Sequence, residues 1–285
     1  MYKKILLGCD PEGLAEDALP VVVALARDLR SEVLVVGVED PHDTGEAHDL
    51  IEQRLDGLVR QLQDQGVAAR GELPRAGRRE VAQTLAEVSR EWGADLIALG
   101  THRRGELTGL VVGSVGHAVA ARVDTPILVA AAHERTAGGA PPRLDRILLA
   151  IDYSEQSDAA LHAVAELGAP DSTVMVVHAL GMGALGAPVY ISEPEEEARG
   201  LLTRAVEQLE AAGKSATWAL LTGVGALPER IAEAADDWNA DLIVMGSRRL
   251  TDLGGLIVGS IAHGVIRQTE RPVLLAERPR ARVKS

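Results

Sequence analysis

Short apolar runs alternate with amphipathic stretches along the whole chain. In the first half the apolar runs fall near residues 3–9, 32–38, 67–73, 95–100 and 126–131, and they read as strands. Helical spacing of apolar positions covers residues near 13–29, 45–65, 78–92 and 113–122. The second half repeats the alternation. Strands are expected near 146–151, 173–179, 215–221, 241–246 and 272–276, and helices near 155–167, 194–212, 226–238 and 259–269. Ser192-Glu193-Pro194-Glu195 has capping-box spacing and supports a helix start there. Strand–helix alternation of this kind predicts right-handed crossovers and a mostly parallel sheet with helices on both faces.

The alternation is a duplication. Ile5-Leu6-Leu7-Gly8-Cys9-Asp10 matches Ile147-Leu148-Leu149-Ala150-Ile151-Asp152 at an offset of 142. From about Gly77 the offset settles at 146: Trp92 aligns with Trp238, and Thr125-Pro126-Ile127-Leu128-Val129-Ala130 with Arg271-Pro272-Val273-Leu274-Leu275-Ala276. Two copies of a domain-sized unit mean tandem domains rather than a solenoid. The expected division is a first domain over 1–132, a linker over 133–144 carrying Gly138, Gly139, Pro141 and Pro142, and a second domain over 145–280. A loop rich in Gly and Ala is expected over 181–191.

Composition narrows the picture. With 285 residues and 46% apolar content the chain can build two cores. Phe is absent, so those cores must be Val, Leu, Ile and Ala, as in parallel sheets buried on both faces. A net charge of −13 argues against a nucleic-acid or anionic-membrane surface, which needs clustered Lys and Arg. The lone cysteine, Cys9, allows no internal disulfide and fits a reducing cytosol. No apolar run reaches the roughly 18–20 residues of a membrane span. The opening apolar stretch is broken by Asp10, Pro11 and Glu12 too soon for a signal peptide. A cytoplasmic location is expected.

Candidate chemistry gathers after the fourth strand of each copy. Gly100-Thr101-His102 is followed thirteen residues on by Gly113-Ser114-Val115, and Gly246-Ser247-Arg248 by Gly259-Ser260-Ile261. Ligands of doubly wound sheets sit at the carboxyl ends of the strands. The backbone N–H groups at the start of the next helix can hold an anion there, and Ser114 and Ser260 can add hydroxyls. Asp10 and Asp152 end the first strand of each copy, where a carboxylate could accept from an amino group or a ribose hydroxyl.

At these residues the chain resembles the universal stress protein family in its tandem form. The resemblance rests on Lys4-Ile5-Leu6-Leu7 with Asp10, Ala94-Asp95-Leu96-Ile97, the paired glycine motifs, and Thr125-Pro126-Ile127-Leu128-Val129. It implies an α/β fold of two tandem doubly wound domains, each a five-stranded parallel sheet of order 3-2-1-4-5 with helices on both faces. It implies a non-enzymatic stress-response protein. In some family members the ligand is ATP, with the pattern Gly, two residues, Gly, nine residues, Gly and Ser or Thr. The adenine pocket it implies comprises Gly8, Cys9, Asp10, Val38 and Leu99 in one half, and Ala150, Ile151, Asp152, Ala179 and Met245 in the other. Those small and apolar residues also suit a ligand-free sheet core.

The chain departs from that pattern twice. The second glycine is Arg103 in one half and Arg249 in the other. Either guanidinium could grip phosphate oxygens, or its side chain could fill the groove. Two functional readings therefore stand: a binder of ATP or another adenine nucleotide, with Mg²⁺ where the triphosphate brings it, or a nucleotide-free scaffold acting through protein contacts. The full candidate set is the ten pocket residues with Gly100, Thr101, Arg103, Gly113, Ser114, Val115, Gly246, Ser247, Arg249, Gly259, Ser260 and Ile261.

Other residues read as structural. His102 and the cluster His42, Asp43, Glu46, His48 and Asp49 suit exposed loops, and His117 and His263 lack the neighbours a zinc site needs. Cys9 suits a small core position, Trp92 and Trp238 anchor helix to sheet, and Glu193 to Glu197 suit a solvated helix start. No catalytic set emerges, so no enzyme, catalytic residue or metal site is expected. The fifth strand is a sheet edge, where family members commonly dimerise. Strands 126–131 and 272–276 are expected to pair antiparallel as an intramolecular pseudo-dimer, and a homodimer of whole chains is a further option.

Overall fold

The computed structural model describes residues 2–39, 45–76, 80–101, 114–131, 143–169, 171–180, 194–223, 225–247 and 259–277. The first half runs β1 (Lys4–Gly8), α1 (Ala15–Leu29), β2 (Glu32–Val36), α2 (Gly45–Asp64), β3 (Ala68–Glu72), α3 (Val81–Trp92), β4 (Leu96–Thr101), α4 (Ser114–Ala120) and β5 (Ile127–Ala131). The second half runs β6 (Arg146–Ala150), α5 (Glu155–Glu166), β7 (Thr173–Ala179), α6 (Glu195–Ala211), β8 (Ser215–Leu221), α7 (Leu227–Asp237), β9 (Leu242–Gly246), α8 (Ser260–Gln268) and β10 (Val273–Ala276).

These strands form one sheet of order β3-β2-β1-β4-β5-β10-β9-β6-β7-β8. Neighbours are parallel everywhere except at the centre, where β5 and β10 pair antiparallel. Read from its outer edge inward, each half has the order 3-2-1-4-5. The pairing expected of the two fifth strands is therefore present, and it fuses two parallel sheets into a single mixed one.

Side chains alternate across each strand, so consecutive residues feed different cores. Ile5 and Leu7 join α1, α2, α5 and α6 on one face, while Leu6 joins α3, α4, α7 and α8 on the other. Both cores run across the junction between the halves. Burying each Leu, Ile or Val contributes about 1.5–3 kcal/mol. Small Ala and branched aliphatics fill both layers without Phe.

The repeated Ala-Asp-Leu-Ile run has a structural reason. Asp95 Oδ2 accepts backbone N–H bonds from Lys3 (2.9 Å) and Lys4 (3.1 Å) at the start of β1. Its duplicate Asp241 Oδ2 accepts from Asp145 (3.0 Å) and Arg146 (2.9 Å) at the start of β6. Lys4 Nζ lies 5.3 Å from the Trp92 ring centroid and donates to the Trp92 carbonyl, while Arg146 does both at Trp238. The two tryptophans thus tie the ends of α3 and α7 to the first strand of each half. The left-handed residue after each is Gly93 (φ 72°) in one copy and Asn239 (φ 55°) in the other, the two types best suited to that conformation.

Of the linker expected over 133–144, Arg143 and Leu144 are described, and Leu144 is buried in the core. The loop over 181–191 lies outside the described residues, as do Ser192 and Glu193. The N-cap of α6 is Pro194, without a side-chain cap.

Candidate functional site

At the carboxyl ends of β6, β7 and β9 the second half opens into a cavity of about 260 Å³. That is close to the lower end of the roughly 300–1,000 Å³ typical of small-molecule sites. Strand alternation turns Ala150, Ala179 and Met245 toward the face covered by α7 and α8. Because two of the three are alanines, the strand ends leave a hollow rather than a filled core. Leu227 and Ile231 of α7 and Ile261 and Ala262 of α8 complete its apolar wall.

Its polar groups lie on two sides. On one, Gly259 and Ser260 bring the start of α8 to the cavity, with no acidic residue in that helix's first turn. The N–H groups and dipole at a helix start favour an anion. On the other side Asp152 Oδ1 accepts from Ser154 N (2.9 Å), the Ser154 hydroxyl and Ser157 Oγ (2.9 Å). Ser157 Oγ in turn accepts from Asp152 N at 2.8 Å. Ser154 is the N-cap of α5, yet its hydroxyl turns to Asp152 instead of capping the helix.

His178, buried on β7, also borders the cavity. Its Nδ1 lies 2.8 Å from the Ile151 carbonyl, which can only accept, so Nδ1 carries the proton. Its ring meets Tyr153 edge to face with centroids 5.6 Å apart. Behind this wall the buried Arg230 donates to the carbonyls of Leu180 (2.5 Å) and Leu221 (3.1 Å), holding together the ends of β7 and β8.

Nine of the second-half candidates therefore share one cavity: Ala150, Ile151, Asp152, Ala179, Met245, Gly246, Gly259, Ser260 and Ile261. Ser247 is buried and is not among its lining residues, since its N–H is bonded to the Ala276 carbonyl at 3.1 Å and it belongs to the β9–β10 pairing. Arg249 lies outside the described residues. Sequence reasoning missed Ser154, Ser157, His178, Leu227, Ile231 and Ala262. The spacing Asp152-x-Ser154-x-x-Ser157 was available as a signal, whereas the α7 residues needed the tertiary packing.

In the first half Arg103, Gly113 and the Ser114 side chain lie outside the described residues, as does His102. Val115 is on α4 and exposed, and Thr101 and Val38 are buried. The Asp10 carboxylate is engaged by the backbone that follows it. Its Oδ1 accepts from the N–H groups of Glu12 (2.8 Å) and Leu14 (3.2 Å), and its Oδ2 from Leu14 (2.9 Å) and Ala15 (3.1 Å). It organises the turn into α1.

Gly100 and Gly246 also serve packing. A Cβ on Gly100 would stand 1.7 Å from the Leu14 carbonyl oxygen, and one on Gly246 2.6 Å from the backbone of Gln156. The start of the first helix in each half presses on the end of the fourth strand, and only glycine leaves room. Cys9 is buried, and burial, helped by Asp10 and Glu16, pushes its thiol up to about 12. His48 pairs with Glu39 at 2.9 Å. Among the described residues no group of three His, Cys, Asp or Glu is placed to hold a metal.

Two doubly wound α/β domains joined through their fifth strands, with a cavity at a strand-end crevice, define the class as a tandem α/β protein. The family model for the universal stress protein family matches residues 1–131 and again 143–277. The chain belongs to the universal stress protein family, as a tandem member.

A universal stress protein of Thermus aquaticus is 39% identical over 136 residues, spanning 45% of this chain and 96% of its own length. One from Mycobacterium tuberculosis is 25% identical over 252 residues, 85% of this chain and 76% of its own. The crystal structure of a universal stress protein from Archaeoglobus fulgidus superposes with a TM-score of 0.74 at 21% identity, covering 98% of this chain and 99% of that one. That likeness concerns the fold.

Proposed function

We propose that this chain is a non-enzymatic, cytoplasmic stress-response protein that holds an adenine nucleotide, ATP or ADP, in one or both domains. The observation that carries this reading is the two-sided polarity of the second-half cavity. A carboxylate with two serine hydroxyls faces one side, a helix N-terminus the other, and an apolar floor lies between. A nucleotide has matching parts: hydroxyl and amino donors for the carboxylate, a flat ring for the floor, and phosphate for the helix start. Mg²⁺ would enter with the phosphates, because the described residues offer no ligand cluster of their own. The single cysteine, and the lack among the described residues of a helix long and apolar enough to cross a membrane, support the cytoplasmic placement.

One observation favours a second reading. Arginine replaces the middle glycine of the family's ATP pattern in both halves, at Arg103 and Arg249. If those side chains fill the phosphate groove, the protein is a scaffold that acts through protein contacts. The test is to denature the purified protein, look for released ATP, ADP or AMP by chromatography, and titrate the native protein with ATP and Mg²⁺. Released nucleotide or saturable binding is expected. No co-purified nucleotide and no binding at millimolar ATP would leave the scaffold reading. Arg249→Gly tells the two roles of arginine apart: tighter binding means it blocks, weaker binding that it grips.

A further inference from the structure

We infer that each chain takes one adenine nucleotide, in the second half, and that the first half is a closed structural copy. The inference rests on the nucleotide reading above and sharpens it. Three contrasts between duplicated positions carry it, all within described residues.

The first is the floor. Gly8 and Ala150 are equivalent strand-end positions. In the first half Leu99 leans onto Gly8, its Cδ2 only 2.7 Å from where a Cβ would stand, so a branched side chain occupies the space over the strand end. In the second half the equivalent position is Ala150, which borders the cavity. Met245, which replaces Leu99, borders the cavity instead of filling it.

The second contrast is the carboxylate. Asp10 accepts from three backbone N–H groups, those of Glu12, Leu14 and Ala15, with Leu14 shared between its two oxygens, all fixed by the start of α1. A carboxylate has about four acceptor sites, so most of its capacity is committed to the fold. At Asp152 two of the three donors gathered on Oδ1 are serine hydroxyls of the cavity wall. A hydroxyl turns about its own bond, so Ser154 and Ser157 can re-aim toward a bound hydroxyl or amine without disturbing the backbone.

The third contrast is the side wall at the end of the second strand. The buried positions Ile51, Leu55, Leu58 and Leu62 of α2 correspond to Ala198, Leu202, Ala205 and Leu209 of α6 at a constant offset (198 − 51 = 147). Gly37 of the first half corresponds to His178 of the second (178 − 37 = 141). Over Gly37 the chain packs Leu73 and Ile51, whose atoms lie 2.9 and 3.1 Å from a notional Cβ. In the second half Ile51 becomes Ala198, and the glycine becomes His178, whose ring borders the cavity.

The test uses the full, unmutated chain. Calorimetric titration with Mg²⁺–ATP should give one nucleotide per chain. Photolabelling with 8-azido-ATP, followed by digestion and mass spectrometry, should place the label in peptides from residues 146–277. Met245→Trp, which fills the cavity, should abolish binding while circular dichroism stays native. If that variant unfolds, photolabelling of the native chain decides. Two nucleotides per chain, or label in peptides from residues 2–131, would overturn the inference while leaving nucleotide binding intact. Binding unchanged in a folded Met245→Trp protein would overturn it as well. A native chain that binds no adenine nucleotide defeats the broader proposal and this one together.

Discussion

Leu128 stands opposite Leu274, its own duplicate (274 − 128 = 146), at the centre of the antiparallel junction. The flanking pairs reverse in step: Ile127 faces Leu275, and Val129 faces Val273. A local two-fold axis therefore passes between the two leucines. This is the isologous geometry of a symmetric dimer, made within one chain. Both leucines are fully buried in the core shared by the halves.

Each leucine should consequently matter equally. Leu128→Ala and Leu274→Ala are each expected to cost about 2–5 kcal/mol, as for buried leucines generally. Because the side chains share one neighbourhood, the double variant should deviate from the sum by about 0.5–3 kcal/mol. Urea unfolding of the two single variants and the double variant checks this. Markedly unequal single losses would contradict a shared axis.

Gly100→Ala and Gly246→Ala should destabilise the protein without any ligand present. The added methyl strikes the Leu14 carbonyl in the first case and the backbone of Gln156 in the second. Overpacking against backbone costs about 1–3 kcal/mol or more, with Gly100→Ala the worse because its contact is closer. Thermal melting of the nucleotide-free protein is the measurement. Lower affinity at unchanged stability would instead mean that these glycines serve only a ligand.

Asp95→Ala and Asp241→Ala should each loosen the start of a first strand. Each removes an acceptor from two backbone N–H groups, a loss of about 1–3 kcal/mol. Hydrogen exchange should speed up at Lys4 in the first variant and at Arg146 in the second, each leaving the other half protected.

Cys9 should resist thiol reagents in the native state and react once the protein is denatured, since burial keeps it neutral. The sign for stability follows from linkage. The unfolded thiol ionises near its ordinary 9.0 while the folded one holds its proton to about 12, so this contribution is complete below pH 9 and is lost between those values. Tyr2, also raised by burial and by Glu166 and Asp95, adds a similar loss starting near 10. The difference between the native protein and Cys9→Val across pH 8–11 isolates the cysteine; a flat difference would refute the account.

Most of the architecture was legible because two periodicities recur twice. Ile5-Leu6-Leu7 and Ile147-Leu148-Leu149 feed both faces of the sheet, and the constant offset after residue 77 extends through both fifth strands, so their pairing could be anticipated. The site was legible where it is made of strand ends, as at Ala150, Asp152 and Met245. It was not legible where like residues took different partners. Asp10 and Asp152 look equivalent in sequence, but Asp10 binds the backbone of residues 12–15 while Asp152 binds the hydroxyls of Ser154 and Ser157. Gly100 and Gly246 drew notice as part of the paired glycine motif, and their packing against the first helix of their own domain could not be read from it. Such choices depend on atoms distant in sequence, which a local pattern does not encode.

The covalent join between the halves changes what a single mutation can do. When two identical chains pair through their fifth strands, every substitution arrives on both sides of the axis, and any gain at one site is tied to the same change at the other. Here the codon for residue 37 and the codon for residue 178 are separate. Glycine beneath Ile51 and histidine on the cavity wall can therefore coexist in one molecule. The β5–β10 seam preserves the shape of a symmetric pair while releasing its two members to inherit changes independently.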